Sequence, residues 1–348
     1  MDFTFLEQLV AAPGVSGREE RVREIMAACF TELGAQTRID AMGNLTGHLP
    51  GSGPRVALIA HMDEVGFLVS KIEPQGFVRV MALGGIDPGD FGAQKVMVHG
   101  AVDLPGVVGS IPPHLLKKGA GDMSQAALPI AESFVDLGLP ADAVLSQVRV
   151  GDPVTFAAGS WQNDHSFFAK ALDDRVGLFI MQQAVKTAKR IDADLLLIAS
   201  TQEEVGLRGA GPAIFGAQPD MVLALEGTVA SDTPGLKLPA NTIATRLGQG
   251  PEIRLTDRRM IAHRPLADFL VRLAGQASVA HQVIVKNSGA TDAAAGQISG
   301  PGSRACAVSV PVRYIHAPVG IAAKADIQAA VTLLGGFLEN ASQMPSPG

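Results

Sequence analysis

Two pairs of adjacent carboxylates, Asp173-Asp174 and Glu203-Glu204, dominate the chemistry of this sequence. The first pair opens a helical pattern over 174–190, and the second follows the apolar run 195–200. Neighbouring carboxylates repel one another and resist burial, so two such pairs close together call for cations between them. His61 follows another apolar run, at 56–60, while Glu226 and His316 follow runs at 221–225 and 305–311. The two acidic pairs, His61, Glu226 and His316 thus offer five ligand positions of mixed imidazole and carboxylate type. Such a set suits a pair of divalent transition metals, and the chemistry it points to is two-metal hydrolysis.

Each residue also has a plainer reading. His61 alone reads as readily as a structural histidine, Asp173 as a helix cap favoured by the helix dipole, and Glu203-Glu204 as a solvated strand end. Asp63 alone reads as a turn residue, yet its place two residues after His61 lets its carboxylate orient that imidazole. Arg175 reads as a structural counter-charge to the nearby carboxylates. His48, His99, His114, His165, His263 and His281 have no comparable context and are assigned no role. What separates the candidate set from its parts is common position. In open α/β sheets ligands gather beyond the carboxyl ends of the strands, where these residues fall.

The elements that must position them follow from periodicity. Residues 3–12 and 18–33 have helical spacing around Pro13-Gly14-Val15-Ser16-Gly17, a turn signal with Ser16 as a candidate cap. Runs at 56–60, 195–200, 221–225 and 305–311 are continuously apolar, as in strands buried on both faces. Helical patterns at 174–190, 208–216, 263–279 and 324–341 alternate with them. The expected fold class is α/β: a mixed sheet with helices on both faces. Residues 68–162 are richer in Gly and Pro, with short alternating strands at 77–81 and 95–98 and helical patterns at 124–137 and 140–146. The expected organisation is a discontinuous catalytic domain, 1–67 and 163–348, interrupted by a small β-rich domain, 68–162.

The 348 residues are 47% apolar, ample for a sizeable core, and the net charge of −6 comes without a basic cluster, which argues against nucleic-acid binding. Cys29 and Cys306 show no CxxC spacing and are expected to be buried free thiols. No apolar run reaches the roughly 18 residues of a membrane span, and the acid-interrupted start lacks a secretory signal. A soluble, cytoplasmic protein is expected. A short Pro/Ser/Gly tail occupies 344–348, and one Trp with one Tyr is too few for a sugar-stacking cleft.

At these residues the chain resembles the tetrahedral (TET) aminopeptidases, di-metal exopeptidases that include glutamyl and deblocking enzymes. The stretches that carry the resemblance are Ala60-His61-Met62-Asp63-Glu64-Val65-Gly66-Phe67, Ala171-Leu172-Asp173-Asp174-Arg175-Val176-Gly177 and Gln202-Glu203-Glu204-Val205-Gly206-Leu207-Arg208-Gly209-Ala210. Gly289-Ala290-Thr291-Asp292-Ala293 and Val312-Arg313-Tyr314-Ile315-His316-Ala317-Pro318 complete them, in family order across essentially the whole chain. The resemblance implies His61 and Glu226 as ligands of one metal, Glu204 and His316 as ligands of the other, and Asp173 as the bridge. It also implies Glu203 as general base and Asp63 as the partner of His61. Two departures are visible: many relatives carry aspartate at Glu226, and a common glycine pair is here Gly289-Ala290, preceded by Ser288.

The implied activity is removal of N-terminal residues from short peptides with two divalent ions, zinc foremost and cobalt or manganese next. The implied assembly is a homo-oligomer, a dodecamer, with the 68–162 insertion serving dimerisation. Related di-metal carboxypeptidases and N-acyl amino acid deacylases share the His-x-Asp, Asp-Asp and Glu-Glu pattern, and an inactive scaffold is the third alternative. Arg175 and the Tyr314-Ile315-His316 ending favour the aminopeptidase.

Overall fold

The continuous apolar runs become neighbouring strands. The computed structural model describes residues 1–110 and 128–344. The chain opens with helices α1 (Thr4–Ala11) and α2 (Glu20–Glu32), then strands β1 (Gln36–Ile39), β2 (Leu45–Leu49) and β3 (Arg55–His61). A second sheet follows: β4 (Gly66–Ile72), β5 (Val78–Leu83), β6 (Lys95–His99), β7 (Asp103–Val108), β8 (Val135–Asp136), helix α3 (Ala141–Gln147) and β9 (Pro153–Phe156). The first sheet resumes with β10 (Trp161–Gln162) and β11 (Ser166–Ala169), then α4 (Leu172–Thr187), β12 (Asp194–Ser200), α5 (Ala210–Ala217) and β13 (Met221–Val229). It ends with β14 (Glu252–Thr256), α6 (Arg264–Gln276), β15 (Gln282–Val285), α7 (Asp292–Ile298), β16 (Arg304–Arg313), β17 (Gly320–Ala323) and α8 (Lys324–Asn340).

The large sheet is mixed, in the order β1-β2-β12-β3-β13-β16-β17-β11-β10, with β14 on β16 and β15 beyond it. Its centre, β12-β3-β13-β16, is parallel. These four strands carry the unbroken apolar runs because both their faces are covered. Helix α4 packs on β3 and β13 with α1 and α8 beside it, while α5 and α7 pack together over β12, β3 and β13. Leu58, Ile59, Leu197, Leu223 and Val308 are fully buried between these layers. Each such side chain stabilises the fold by about 1.5–3 kcal/mol relative to exposure. Register then decides the function: Ser200 lies beside His61, and Ala224 beside Ile59. The carboxyl ends of β12, β3 and β13 therefore finish at one level.

The six short strands close into a barrel, β4-β5-β8-β7-β6-β9. Its core is separate from that of the large sheet and is built on Phe67, Phe91 and Phe156, with Phe67 and Phe91 ring centres 4.3 Å apart. Alternating Val78, Val80, Val96, Val98 and Val154 fill the rest. The helical pattern at 124–137 is corrected where it can be seen. Residues 124–127 lie outside the described residues; Ile130–Glu132 is one 3-10 turn, and Val135–Asp136 is strand β8. Val135 is fully buried and pairs with Val78 and Val108, so barrel closure overrides the local helical spacing. The pattern at 140–146 does form α3. His114 and the tail at 345–348 also lie outside the described residues.

Candidate metal centre

All five candidate ligands converge at one rim of the large sheet. His61 is the last residue of β3, Asp173 stands in the first turn of α4, and Glu226 lies on β13. Glu204 follows β12, and His316 sits in the turn after β16 with a left-handed backbone, φ 62°. Ligand atoms of His61, Asp173 and Glu226 lie within 4.8 Å of one another, and so do those of Asp173, Glu204 and His316. Asp173 belongs to both groups. Its Oδ1 is 3.2 Å from His61 Nε2, and its Oδ2 is 3.4 Å from His316 Nε2. Glu226 Oε2 is 3.6 Å from His61 Nε2, and Glu204 Oε2 is 3.4 Å from His316 Nε2.

Hydrogen bonds on the far side of each ring fix what these nitrogens present. His61 Nδ1 lies 3.0 Å from the Asp63 carbonyl oxygen, and His316 Nδ1 lies 2.9 Å from that of Gly85. A carbonyl only accepts, so in both rings Nδ1 carries the proton and donates it. In the neutral ring, Nε2 then offers a lone pair to the site, facing carboxylate oxygens that are also electron-pair donors. Without metal the carboxylates draw a proton onto Nε2, as the raised imidazole pKa values show; a divalent ion displacing that proton would meet converging lone pairs from one imidazole and two carboxylates in each group. Glu204 Oε1 adds to this: it is buried with no hydrogen-bond partner among the described residues. The donor set therefore fits metal at both groups.

Electrostatics set by the protein alone lead the same way. Burial, then repulsion from Asp173, pushes the Glu204 carboxyl up to about 7 against the pull of His316. Burial likewise raises Glu203 and Glu226 well above the ordinary carboxylate range. Burial pulls the His316 imidazole down, but Asp173 and Glu204 overrule it and raise it to about 9. His61 shows the same balance, with Asp173 and Asp63 outweighing complete burial. Among the described residues, Asp173, Glu203, Glu204 and Glu226 find ion-pair partners only in these two histidines.

Asp63 does more than sequence spacing suggests. Its carboxylate is 3.4 Å from His61 Nδ1 but accepts the Ser16 hydroxyl at 2.6 Å and the Glu203 and Glu204 N–H groups at 3.0 and 3.1 Å. Burial opposes its charge, yet these contacts hold its pKa below the usual range. Asp63 thus fixes the Glu203-Glu204 backbone, and its carbonyl fixes the His61 ring. Glu203 belongs to neither ligand group; its Oε2 reaches 4.0 Å from His61 Nε2, at the edge of the site.

Three further residues, two of them inside stretches singled out in the sequence, carry roles that the sequence did not assign. Asp174 turns away from Asp173 because both have non-helical backbone angles, and it accepts the N–H of His61 at 3.2 Å and of Gly177 at 2.9 Å. Asp292, fully buried at the start of α7, takes the Ser200 hydroxyl, and its N–H reaches Glu226 Oε1 at 3.3 Å. Gly85 supplies the carbonyl for His316. The sequence signals available were Thr291-Asp292 as a helix start and the Gly84-Gly85 pair as a turn. Arg175 is fully buried, 3.5 Å from Glu64, and donates to the Leu9 and Ala12 carbonyls, so it braces the fold as expected. Glu64 is held principally by Lys170 at 2.6 Å.

The other described histidines, His48, His99, His165, His263 and His281, belong to neither ligand group; His48 pairs with Asp194, His99 with Asp103, and His281 with the Val279 carbonyl. Cys29 and Cys306 are free and buried, and burial pushes their thiols up to about 11 and about 12. At the ligand rim opens a cleft of about 600 Å³, lined also by Thr228, Arg254, Lys286, Leu236 and Ile243. Lys286 and Arg254 share Glu252, at 3.0 and 2.7 Å. No described helix is long and apolar enough to cross a membrane.

The sequence profile described as M42 glutamyl aminopeptidase matches residues 43–333. A lysyl aminopeptidase from Pyrococcus furiosus is 31% identical, covering 99% of this chain and 99% of the relative. The aminopeptidase APDkam598 from the archaeon Desulfurococcus kamchatkensis superposes with a TM-score of 0.91 at 32% identity, covering 99% of this chain and 97% of that one. The TET1 peptidase from Pyrococcus horikoshii, which can assemble into a tetrahedron or a large octahedral shell, superposes with a TM-score of 0.85 at 29% identity, covering 96% and 98%. By sequence and by structure, the chain belongs to the M42 family of aminopeptidases, which are metal-dependent exopeptidases.

Proposed function

We propose that this aminopeptidase works with two divalent ions, one held by His61 and Glu226, the other by Glu204 and His316, with Asp173 shared between them. The observation that carries this reading is the pair of three-residue groups meeting at Asp173, each with its histidine Nδ1 tied to a carbonyl. Four carboxylates with only two imidazoles as counter-charges would be neutralised by two dications. Imidazole with carboxylate suits zinc best, and cobalt or manganese next. Bound there, the ions would supply Lewis-acid polarisation of the scissile carbonyl and acidify the attacking water. Glu203 is free of both groups, and burial raises its basicity. It would accept the water's proton at Oε2 and return it to the departing amine. The Asp63 carboxylate holds the Glu203 N–H at 3.0 Å, which keeps that base aimed into the cleft.

The substrates would be short peptides with a free N-terminus, whose positive amine meets the acidic end of the cleft. Family membership supports this over the carboxypeptidase and deacylase alternatives, and a complete ligand set speaks against a dead scaffold. We further assign the barrel, whose strands run from Gly66 to Phe156 and so start two residues before the expected 68–162 insertion, to dimerisation and the whole chain to a dodecamer; the shells that the related TET1 peptidase can form support this. Two buried free thiols suit a reducing compartment such as the cytoplasm. Elemental analysis after zinc reconstitution should approach two ions per chain, and His316→Ala should lower it towards one. A ceiling of one ion with His316→Ala unchanged would remove the assignment. A panel of amino-acid p-nitroanilides, with N-acetylated controls, tests the cleavage class: hydrolysis of the free-amine substrates alone is expected.

A further inference from the structure

The two ligand groups are held from different directions. His61 and Glu226 are buried, and their supports come from the large sheet and its helices: the Asp63 carbonyl, the Asp174 carboxylate and the Asp292 N–H. Asp63 also holds the Glu204 N–H, but the second group has a further neighbour, the loop that leaves strand β5 of the barrel. Gly85 carbonyl accepts from His316 Nδ1 at 2.9 Å, on a ring whose side chain is 32% exposed. Gly84, at φ +83°, lies so close that an added Cβ would meet Val65 Cγ1 at 2.7 Å and Glu204 Cβ at 3.4 Å. Gly85 thus holds one ligand of this ion through its carbonyl, and Gly84 leaves no room for a side chain between Val65 and the other.

We propose that Gly84-Gly85 is a positioning element for the ion held by Glu204 and His316, so that this ion's affinity depends on how the barrel is seated. The inference rests on the two-ion reading above. Its physics is steric and orientational. Only glycine tolerates the left-handed backbone at 84 cheaply. Val65 is β-branched, so its methyl has no ready alternative rotamer into which to retreat. A side chain at 84 must therefore push the loop outward and carry the Gly85 carbonyl away from His316. A half-exposed ring that loses its anchor is free to turn and to change tautomer. Loss of such a partner behind a ligand typically weakens metal binding about 10–100-fold.

The test is competition of the full-length protein against a chromophoric chelator for zinc, with dissociation constants read for both positions. Gly84→Ala should raise one constant about 10–100-fold and leave the other unchanged. Adding Val65→Ala to that variant removes the colliding methyl and should restore part of the loss. Gly92→Ala, in the same loop with open space around it, should change neither constant. Should Gly84→Ala fail to fold, Asp87→Ala serves. This exposed residue accepts the Gly89 N–H at 2.8 Å, and its loss loosens the same loop, with a smaller shift at the same position. Both constants unchanged, both raised together, or Gly92→Ala matching Gly84→Ala would each overturn the proposal. A wild-type chain holding one ion would bring down the two-ion reading and this inference with it. Two ions with an unaltered Gly84→Ala would bring down this inference alone.

Discussion

Glu203 and Glu204 are chemically identical, and only their surroundings separate them. Their N–H groups share one carboxylate, Asp63, which fixes the dipeptide where β12 has ended. Glu204 then lies 3.4 Å from His316 Nε2 with an unpartnered buried oxygen, while Glu203 stands at the edge of the His61 group. Glutamine is nearly isosteric with glutamate but accepts no proton and carries no charge. Glu203→Gln should therefore lower kcat by about 10²–10⁴-fold, the usual range for a general base, with metal content intact. Glu204→Gln should lose metal first and activity as a consequence. Measured side by side, metal loss confined to Glu203→Gln means the roles are exchanged, and near-normal kcat in Glu203→Gln means another group takes the proton.

At the scale of elements, Asp173 reaches the site because α4 lies unusually close to β13. Gly177 makes this approach feasible: a Cβ there would collide with the Asp174 carboxylate and the Leu225 carbonyl. Gly227 meets α4 from the other side, where a Cβ would lie 3.1 Å from Asp173 Cα. Gly177→Ala must move the helix or expel Asp174 from its hydrogen bonds, so it should destabilise by about 1–3 kcal/mol, as overpacking does. Thermal unfolding with metal analysis checks it; an unchanged Tm and full metal content would mean the interface yields freely. Strands β3, β12, β13 and β16 were legible because burial on both faces leaves an unbroken apolar signature. The candidate ligands stand out in the sequence because only particular side chains can hold metal. Their supports do not, because the Asp63 and Gly85 carbonyls and the Asp292 N–H are backbone groups that every residue possesses. Helix α7, seven residues long, is too short to show a period, and β8, two residues long, exists only because the barrel closes around it.

At the scale of the whole molecule, the barrel carries its own core yet leaves apolar surface outward. Val108 is buried, so its neighbour Val107 must face out, and it does so at 48% exposure. It lines an open groove of about 500 Å³ with Pro105 and Leu137. On the assembly proposed above, apolar ground of this kind would be covered by a second copy. Where two identical subunits meet about a two-fold axis, a substitution enters the interface twice. Val107→Asp would then put two added carboxylates into that interface, beside Lys95 and Asp136 of each barrel, while in the isolated chain the same side chain faces water at little cost. Light scattering should give about twelve times the 36.1 kDa chain mass for the parent protein and a markedly smaller species for Val107→Asp, with Tm of the subunit and zinc content retained. A parent protein that is monomeric at micromolar concentration would end the assembly proposal. A Val107→Asp variant that keeps full mass would spare the assembly but move its contacts off this face of the barrel.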